Sequence, residues 1–429
     1  MRAGKNTRDL AIGFGSQSVF KLLGFIVLAL LARQLSQDDY GKLMFAMSLT
    51  GVAVLLTDLG ASNDLIRRVA AAPDEARQRI EGVLSARLPL MGAYFVFVCG
   101  WVGLTKPELL PVAATIAVYA AVKDVYRSYA SLFLGLHRIA YTVVAFGVHL
   151  LVLVTAIALG TALNRGLPWM AGSYLLAGVV LLCVSVYIAG RMVGPSRLRF
   201  GWRQMKSVFG GSMFLFALGA LSQLQLSAGT LMLGYMTPYA EVARYEVAAR
   251  LLEASQFVVR AATLILFPVC AAMAAKSQWD ELRVLTHKMI AGVTVLGLAT
   301  SGFVGLLAAW IIRIVYTSAY DESAVVLQVL YLGVPGLYVA TIGTFLSASM
   351  HREKRAVLAM ATGVALNSAL NLWVIPRHGA LGAAWMSVLS QSLVAVWLTF
   401  DAYATITRGV RALPGAKPPL ETGLELGGE

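Results

Sequence analysis

Residues 139–162 read IAYTVVAFGVHLLVLVTAIALGTA, 24 residues in a row without a Lys, Arg, Asp or Glu. A helix needs about 20 mainly apolar residues to cross the roughly 30 Å hydrocarbon core of a bilayer. Eleven other stretches of similar character accompany this one, so the sequence predicts an all-α polytopic membrane protein with about twelve transmembrane helices. The predicted spans cover residues 10–31, 43–62, 84–104, 110–135, 139–162, 168–190, 207–236, 243–273, 289–312, 325–350, 356–376 and 380–404.

The composition of the whole chain points to the same class. Of its 429 residues, 58% are hydrophobic and 13% are charged. Soluble proteins have about 45–50% apolar and about 25% charged residues, so a soluble enzyme is excluded. The net charge of +13 does not call for a nucleic-acid partner, because membrane proteins concentrate Lys and Arg in their cytoplasmic loops.

The distribution of basic residues predicts the orientation. With the N-terminus placed inside, the inner segments hold 22 Lys and Arg residues and the outer loops hold 7. This bias over short loops predicts that both termini are cytoplasmic. The outer loops are all short, which disfavours catalysis by an extramembrane domain.

A basic linker divides the spans into six plus six. We expect an N-terminal six-helix lobe at 1–190, a cytoplasmic linker at 191–206 and a C-terminal six-helix lobe at 207–404. The Pro- and Gly-rich residues 405–429 are expected to form a disordered cytoplasmic tail. An even number of spans in each half gives both lobes the same orientation, as in transporters built from parallel repeats.

The eighth predicted span carries four charges on one side. At 100° per residue, Glu246, Arg250, Glu253 and Arg260 fall within an 80° arc. Charged residues within a span are costly and usually face other helices or water. Two interpretations remain open: these residues line a wet cavity, or they form structural pairs, Glu246 with Arg250 and Arg260 with Asp58.

The first and fourth predicted spans carry further cations. Lys21 lies near Gln17 on a mixed face of span one, and no acidic residue of that span neighbours it. On span four, Lys123 and Arg127 share a face with Tyr119. These cations suit an anionic ligand and the ring suits a sugar, although both span-four cations could instead reach water from the membrane edge.

Two charges near the ends of spans receive simpler interpretations. Arg87 is expected to extend its side chain to the membrane surface. Asp124 lies three residues before Arg127, a spacing that allows an ion pair within one helix.

Several motifs resemble those of a known family of bacterial polysaccharide exporters. They are the run RQLSQDDYG at 33–41 with Asp58-Leu59-Gly60, then Tyr316 and Tyr320, then His351-Arg352, and finally Asn367, Asn371, Pro376, Gly379 and Gly382-Ala383-Ala384. In this last set Pro376 is expected to stop a helix and Gly379 to allow a turn. The chain therefore resembles the O-antigen and exopolysaccharide flippases of the multidrug/oligosaccharidyl-lipid/polysaccharide (MOP) exporter superfamily.

This resemblance implies two six-helix lobes around a central cavity and transport of undecaprenyl-pyrophosphate-linked oligosaccharide from the cytoplasmic to the periplasmic leaflet of the bacterial inner membrane. It also implies that cations of the first and eighth spans, here Lys21 and Arg250, attract the pyrophosphate. Membrane lipid, a polysaccharide polymerase and a chain-length regulator are the other expected partners.

The expected cavity combines the residues derived above with two glutamines of span seven. Its predicted lining is Gln17, Lys21, Tyr119, Lys123, Arg127, Gln223, Gln225, Glu246 and Arg250. Asp58, Asp124 and Glu253 are candidates for coupling-ion exchange. No catalytic residue, metal ligand set or cofactor site is predicted.

Two other functions compete with this hypothesis. A cation-coupled multidrug antiporter of the same superfamily would need an acidic site, whereas the charges within the spans are at least as basic as acidic. A membrane polysaccharide polymerase or ligase would need a long outer loop, and none is predicted.

Overall fold

The structure is a computed structural model and describes Phe20 and residues 22–195 and 213–411. The N-terminal half, residues 22–195, forms seven α-helices: α1 Leu22–Gln34, α2 Gln37–Ala53, α3 Ala61–Ala71, α4 Ala76–Thr105, α5 Leu110–Gly135, α6 Ile139–Ala162 and α7 Leu167–Val193. The C-terminal half, residues 213–411, forms seven more: α8 Met213–Met236, α9 Tyr239–Ser255, α10 Phe257–Ala275, α11 Trp279–Val315, α12 Ser323–Leu332, α13 Val334–Ser349 and α14 Glu353–Arg411.

The prediction of an all-α polytopic membrane protein is confirmed. Within the described ranges no residue lies in a β-strand. Eight of the described segments are long and apolar enough to cross a bilayer, and the number rises to ten when each bent pair of helices is taken as one span. Together with the shorter apolar α1 and the division of α14 described below, these segments are consistent with about twelve spans.

The second and tenth predicted spans are not straight helices. After α2 the chain forms a 3-10 turn at Val54–Thr57, and Leu59 and Gly60 then take positive φ angles of 42° and 86°. The tenth predicted span bends by 46° between α12 and α13. Pro335, two residues after Gly333, has no backbone N–H, so it cannot donate the hydrogen bond that would continue α12.

The turn expected at Gly379 is confirmed, although the helix runs past Pro376 before it breaks. Gly379 has φ 52° and ψ −136°, which divides α14 into two segments. The carboxylate of Glu241 accepts a hydrogen bond of 2.8 Å from the backbone N–H of Ala380. This bond satisfies one of the amides that the break exposes.

The predicted start of the disordered tail, at residue 405, is too early. Helix α14 continues to Arg411, so residues 405–411 are helical, and residues 412–429 lie outside the described part of the chain. The segment 196–212 also lies outside it, so the predicted linker and the exact lobe boundaries stay a prediction.

Helix packing divides largely between the two halves. In the N-terminal half α5 packs on α2, α3, α4 and α7, and α6 packs on α7. In the C-terminal half α14 packs on α8 and α13, while α11 packs on α12 and α13. Helix α2 forms the main connection between halves, because it packs on both α8 and α9.

Candidate functional site

A cluster of buried charges holds four segments of the N-terminal half together. Arg87 of α4 is fully buried and contacts the carboxylate of Asp58. Its guanidinium also donates to the backbone oxygen of Asp124 at 3.1 Å and to the hydroxyl groups of Ser62 and Ser128. The expectation that Arg87 reaches the membrane surface is therefore wrong.

The two carboxylates of this cluster differ in their environments. Asp58 contacts Arg87 directly and accepts hydrogen bonds from the N–H and the hydroxyl of Ser62. Asp124 lies farther from Arg87, at 3.8 Å, and 3.4 Å from Arg127, whose side chain is 44% exposed. Two of the three coupling-ion candidates, Asp58 and Asp124, thus belong to one buried network, in which Arg127 is the exposed charged side chain.

Helix α9 carries a second charged group. Arg250 lies 2.9 Å from Glu246 and 3.0 Å from Glu253. Glu246 is buried and also accepts a hydrogen bond from Thr230 of α8, whereas the side chain of Glu253 is 46% exposed. Two carboxylates therefore surround a single guanidinium, so this triad carries an excess negative charge.

Three tyrosines of the C-terminal half hold α9 in place. The sequence analysis had assigned none of them a role in the site. The hydroxyl groups of Tyr316, Tyr331 and Tyr338 donate to the backbone oxygens of Val247, Leu251 and Ser255 at 3.1, 3.0 and 2.9 Å. These acceptors are spaced by four residues and lie on a different side of α9 from Glu246 and Arg250. These three hydrogen bonds fix the rotation of α9 about its axis. Of the three tyrosines, only Tyr316 belongs to a motif that the sequence analysis named.

Two tyrosines of the N-terminal half form a row with Lys123. The ammonium group of Lys123 lies 5.8 Å from the ring centre of Tyr119. Tyr119 packs edge-on against Tyr174 with ring centres 5.4 Å apart. The structure thus brings the predicted site residues Lys123 and Tyr119 together with Tyr174, which the sequence analysis missed.

Lys123 is the exposed cation in this group. It lies near the middle of α5 and its side chain is exposed. Within the described part of the chain it forms no ion pair, and its recorded partner is the ring of Tyr119. A charged group at the centre of a span is expected to face water or a polar ligand rather than acyl chains.

The other predicted site residues are placed as follows. Gln223 and Gln225 are half-buried on α8, and Gln223 donates to the hydroxyl of Ser227 at 3.0 Å. Gln17 and Lys21 lie outside the described residues. Arg260 donates to the side chain of Gln256 at 2.9 Å, so the suggested pairing of Arg260 with Asp58 is wrong.

The halves meet closely at one end of the molecule, which we call the closed face. It is formed by residues 33–45 of the N-terminal half and by residues 235–239 and 314–320 of the C-terminal half. Arg33 donates to the backbone oxygens of Val315, at 2.9 Å, and Ile314, while the side-chain amide of Gln37 donates to the backbone oxygen of Ala319. The bonds from Arg33 satisfy carbonyls that the end of α11 leaves without helical partners, and the bond from Gln37 reaches the 3-10 turn Ser318–Tyr320 that follows α11.

Aromatic rings complete the closed face. Tyr40 packs edge-on against Tyr320 with ring centres 6.3 Å apart, and Phe45 packs against Tyr235 and Tyr239 at 5.1 and 5.9 Å. The hydroxyl groups of Tyr40 and Tyr320 are buried and accept or donate no hydrogen bond within the described residues. Buried hydroxyl groups without hydrogen-bond partners are energetically costly. These two hydroxyls are therefore available to bind a polar group.

A charged pair borders the closed face on the solvent side. Arg313 donates two hydrogen bonds to the carboxylate of Asp321, at 2.9 and 2.7 Å. Because the guanidinium stabilises the ionised form, the pKa of Asp321 is lowered from its ordinary value of 3.8. The pair therefore stays ionised at neutral pH.

Among the described residues, no group of three or more His, Cys, Asp or Glu side chains is arranged to hold a metal ion.

Comparison with known families and proteins places the chain in a polysaccharide biosynthesis family. The model of a family described as "Polysaccharide biosynthesis protein" matches residues 7–274. A Salmonella typhi protein named "Putative O-antigen transporter" is 24% identical over 225 residues. That alignment covers 52% of this chain and 52% of the relative, so the chain spans about half the length of this curated relative.

Solved structures share the fold over almost the whole chain. A multidrug resistance MATE family transporter of the MOP superfamily, in an inward-facing conformation, matches with a TM-score of 0.72 at 14% identity and covers 92% of this chain and 96% of its own. The lipid II flippase MurJ, in an inward closed conformation, matches with a TM-score of 0.69 at 12% identity and covers 93% and 90%. The predicted fold, like that of transporters of the MOP superfamily, is confirmed.

Proposed function

The chain belongs to the polysaccharide biosynthesis protein family, and on that premise we propose that it is a flippase for undecaprenyl-pyrophosphate-linked oligosaccharide. It carries this substrate from the cytoplasmic to the periplasmic leaflet of the bacterial inner membrane for export of a cell-surface polysaccharide. Both termini lie in the cytoplasm. A polysaccharide polymerase and a chain-length regulator act on the product.

The physical task is to move a polar head group through hydrocarbon while its lipid tail stays in the bilayer. Each hydroxyl that loses its hydrogen bonds in an apolar medium costs several kcal/mol. The transporter therefore has to offer polar and charged side chains at mid-membrane depth in place of water. An exposed Lys123 near the middle of α5 suits this task.

The observation that carries the proposal is the exposed Lys123 near the middle of α5, beside the rings of Tyr119 and Tyr174. In the proposed site Lys123 and Arg250, together with Lys21 and Arg127, bind the diphosphate. Arg can hold phosphate oxygens with two parallel hydrogen bonds. Tyrosine rings and the glutamines Gln17, Gln223 and Gln225 contact the sugars.

Arg250 needs to change partners for this role. In the structure it is shared by Glu246 and Glu253. Glu246 is buried and is also held by Thr230, whereas Glu253 is half-exposed and can return to water. We propose that Arg250 keeps Glu246 and exchanges Glu253 for phosphate when substrate binds, and that Glu253 then takes up the coupling ion.

Transport follows from opening the two lobes alternately on either side of the membrane. Under the orientation predicted from the basic residues, the closed face is periplasmic. This arrangement suits loading from the cytoplasmic leaflet. Asp58 and Asp124 are the further candidates for coupling, and their shared partner Arg87 ties them to the packing of α4 and α5.

A multidrug antiporter is the second candidate, and one observation favours it. The excess negative charge of the triad formed by Glu246, Arg250 and Glu253 would attract an organic cation. The two functions differ in the sign of the charge on the transported group, so one transport assay can distinguish them. Polymerase or ligase activity has no comparable support.

Reconstitution tests the proposal. The purified chain is placed in proteoliposomes with fluorescent undecaprenyl-pyrophosphate-linked oligosaccharide, and the fraction that reaches the other leaflet is read by quenching from outside. We expect transport that empty vesicles lack and that Lys276→Glu, a charge reversal at an exposed residue beyond α10, preserves. Uptake of an organic cation without oligosaccharide transport would support the antiporter instead.

A further inference from the structure

A cavity of about 620 Å³ lies within the N-terminal half, and none of its lining residues is assigned to the substrate. Three helices line it, and most of the lining is apolar. We call it the lateral groove. Its lining residues are Leu84, Arg87, Leu88 and Met91 of α4, Val125 and Tyr129 of α5, and Leu182, Val186, Tyr187, Gly190, Arg191 and Pro195 of α7 and its end.

The lateral groove runs along the helices. On α7 its lining includes Leu182, Val186 and Gly190, which are spaced by four residues and share one face. At 1.5 Å per residue this row is about 12 Å long. Both α4 and α7 pack on α5, so α5 forms the floor and the other two helices form the walls.

The rim of the groove faces lipid. Leu88, Val186 and Tyr187 are exposed by 37%, 45% and 62% of their surfaces. Large apolar side chains exposed along membrane-spanning helices contact acyl chains. Water is a poor occupant of a mainly apolar space, because it needs several polar partners. A hydrocarbon chain is therefore the occupant that the lining favours.

The end of the groove carries a positive charge. Arg191 is exposed in the last turn of α7, and its guanidinium lies 5.3 Å from the ring centre of Tyr187. Among the described residues it has no carboxylate within ion-pair distance, whereas Arg87 at the base of the groove is neutralised by Asp58. Lys and Arg next to a span attract anionic lipid head groups.

From this combination we infer that the lateral groove binds one anionic phospholipid. One acyl chain lies between α4 and α7, and the head-group phosphate lies on Arg191. Under the predicted orientation the lipid comes from the cytoplasmic leaflet. This inference is independent of the proposed function, because it concerns a bilayer lipid and its test reads lipid binding rather than transport.

Gly190 allows the groove to be filled without disturbing the packing. A Cβ atom added at Gly190 meets no atom within 4 Å, and leucine is a better helix former than glycine. Gly172 lies on the same helix, outside the groove, and is equally open. Gly190→Leu and Gly172→Leu are therefore a matched pair of test and control variants.

The experiment measures lipids retained by the full chain released from nanodiscs of equal parts phosphatidylglycerol and phosphatidylcholine, by native mass spectrometry. We expect wild type and Gly172→Leu to retain one phosphatidylglycerol in preference to phosphatidylcholine, and Gly190→Leu to lose it. Arg191→Glu should weaken the preference by about fivefold or more. Arg283→Glu, at an exposed position of α11, should not.

Three results would overturn the inference. Gly190→Leu could retain phosphatidylglycerol like wild type, with all variants showing the same thermal unfolding midpoint. Undecaprenyl phosphate added to the nanodiscs could displace phosphatidylglycerol at equal concentration, which would make the groove a site for the substrate tail. A photoreactive residue at position 190 could cross-link to residues 196–212, which would make that segment the occupant.

Discussion

Gly41 of α2 lies directly against the backbone carbonyl of Tyr239 at the start of α9, so closely that an added Cβ atom would overlap that oxygen. The contact lies within the closed face, together with the bonds from Arg33 to the end of α11 and from Gln37 to the turn that follows it. Only glycine allows the two backbones to approach this far. The seal between the halves therefore depends on a missing side chain as well as on hydrogen bonds.

Gly41→Ala should open the closed face. Forcing an extra methyl group into a packed contact typically costs about 1–3 kcal/mol, so the closed-to-open ratio should fall by about 5- to 150-fold. Spin labels at Asp38→Cys and Glu322→Cys, in a background without the three native cysteines, should move to longer distances in pulsed electron resonance.

Gly51→Ala is the control for this prediction. Gly51 lies on the same helix, and a Cβ atom there meets no atom within 4 Å. It should leave the distance distribution of the labels unchanged. Equal distributions for Gly41→Ala and Gly51→Ala would mean that the contact with Tyr239 does not limit closure.

Arg87→Met should destabilise the N-terminal half strongly. The substitution leaves Asp58 and Asp124 buried without their shared cation, and breaking a buried pair in this way costs about 3–5 kcal/mol. Thermal unfolding in detergent, followed by tryptophan fluorescence, should show a large loss. Arg138→Met, at an exposed position after α5, should have little effect. A variant that also carries Asp58→Asn and Asp124→Asn should recover part of the loss; no recovery would indicate that charge is not the cause.

Gly379→Ala should destabilise the break in α14. The positive φ of 52° with ψ of −136° is a region that side chains avoid, at a cost of about 1–3 kcal/mol. The new methyl group would also overlap the carboxylate of Glu241. The unfolding midpoint should fall, whereas Gly292→Ala, in open space on α11, should leave it unchanged or raise it. The same midpoint for both variants would contradict the strain argument.

The sequence predicted the elements that depend on local pattern. The charge-free run at 139–162 appears as α6 with the same limits, because such a run has one stable state in a bilayer. The turn at Gly379 was also accessible from the sequence, because glycine followed a proline between two apolar runs. The bend at Gly333 was missed, because the apolar pattern continues through it.

Residues that act through distant partners could not be placed from the sequence. Arg87 near the end of a span resembles any arginine that reaches the membrane surface, and its partner Asp58 is 29 positions away. Tyr174 is one aromatic residue among many in apolar runs, and its place beside Tyr119 depends on the packing of α5 on α7. By contrast, the grouping of Glu246, Arg250 and Glu253 was predicted from their angular positions around one helix, because these residues are neighbours in sequence.

The most direct measurement compares the affinity of wild type and Lys123→Glu for undecaprenyl diphosphate in detergent micelles, with Lys276→Glu as the charge-matched control. If cations from both halves receive the diphosphate together, Lys123→Glu binds at least about tenfold more weakly, Arg250→Glu behaves alike, and Lys276→Glu matches wild type. Unchanged affinity in Lys123→Glu and Arg250→Glu, with all proteins folded, would contradict the account.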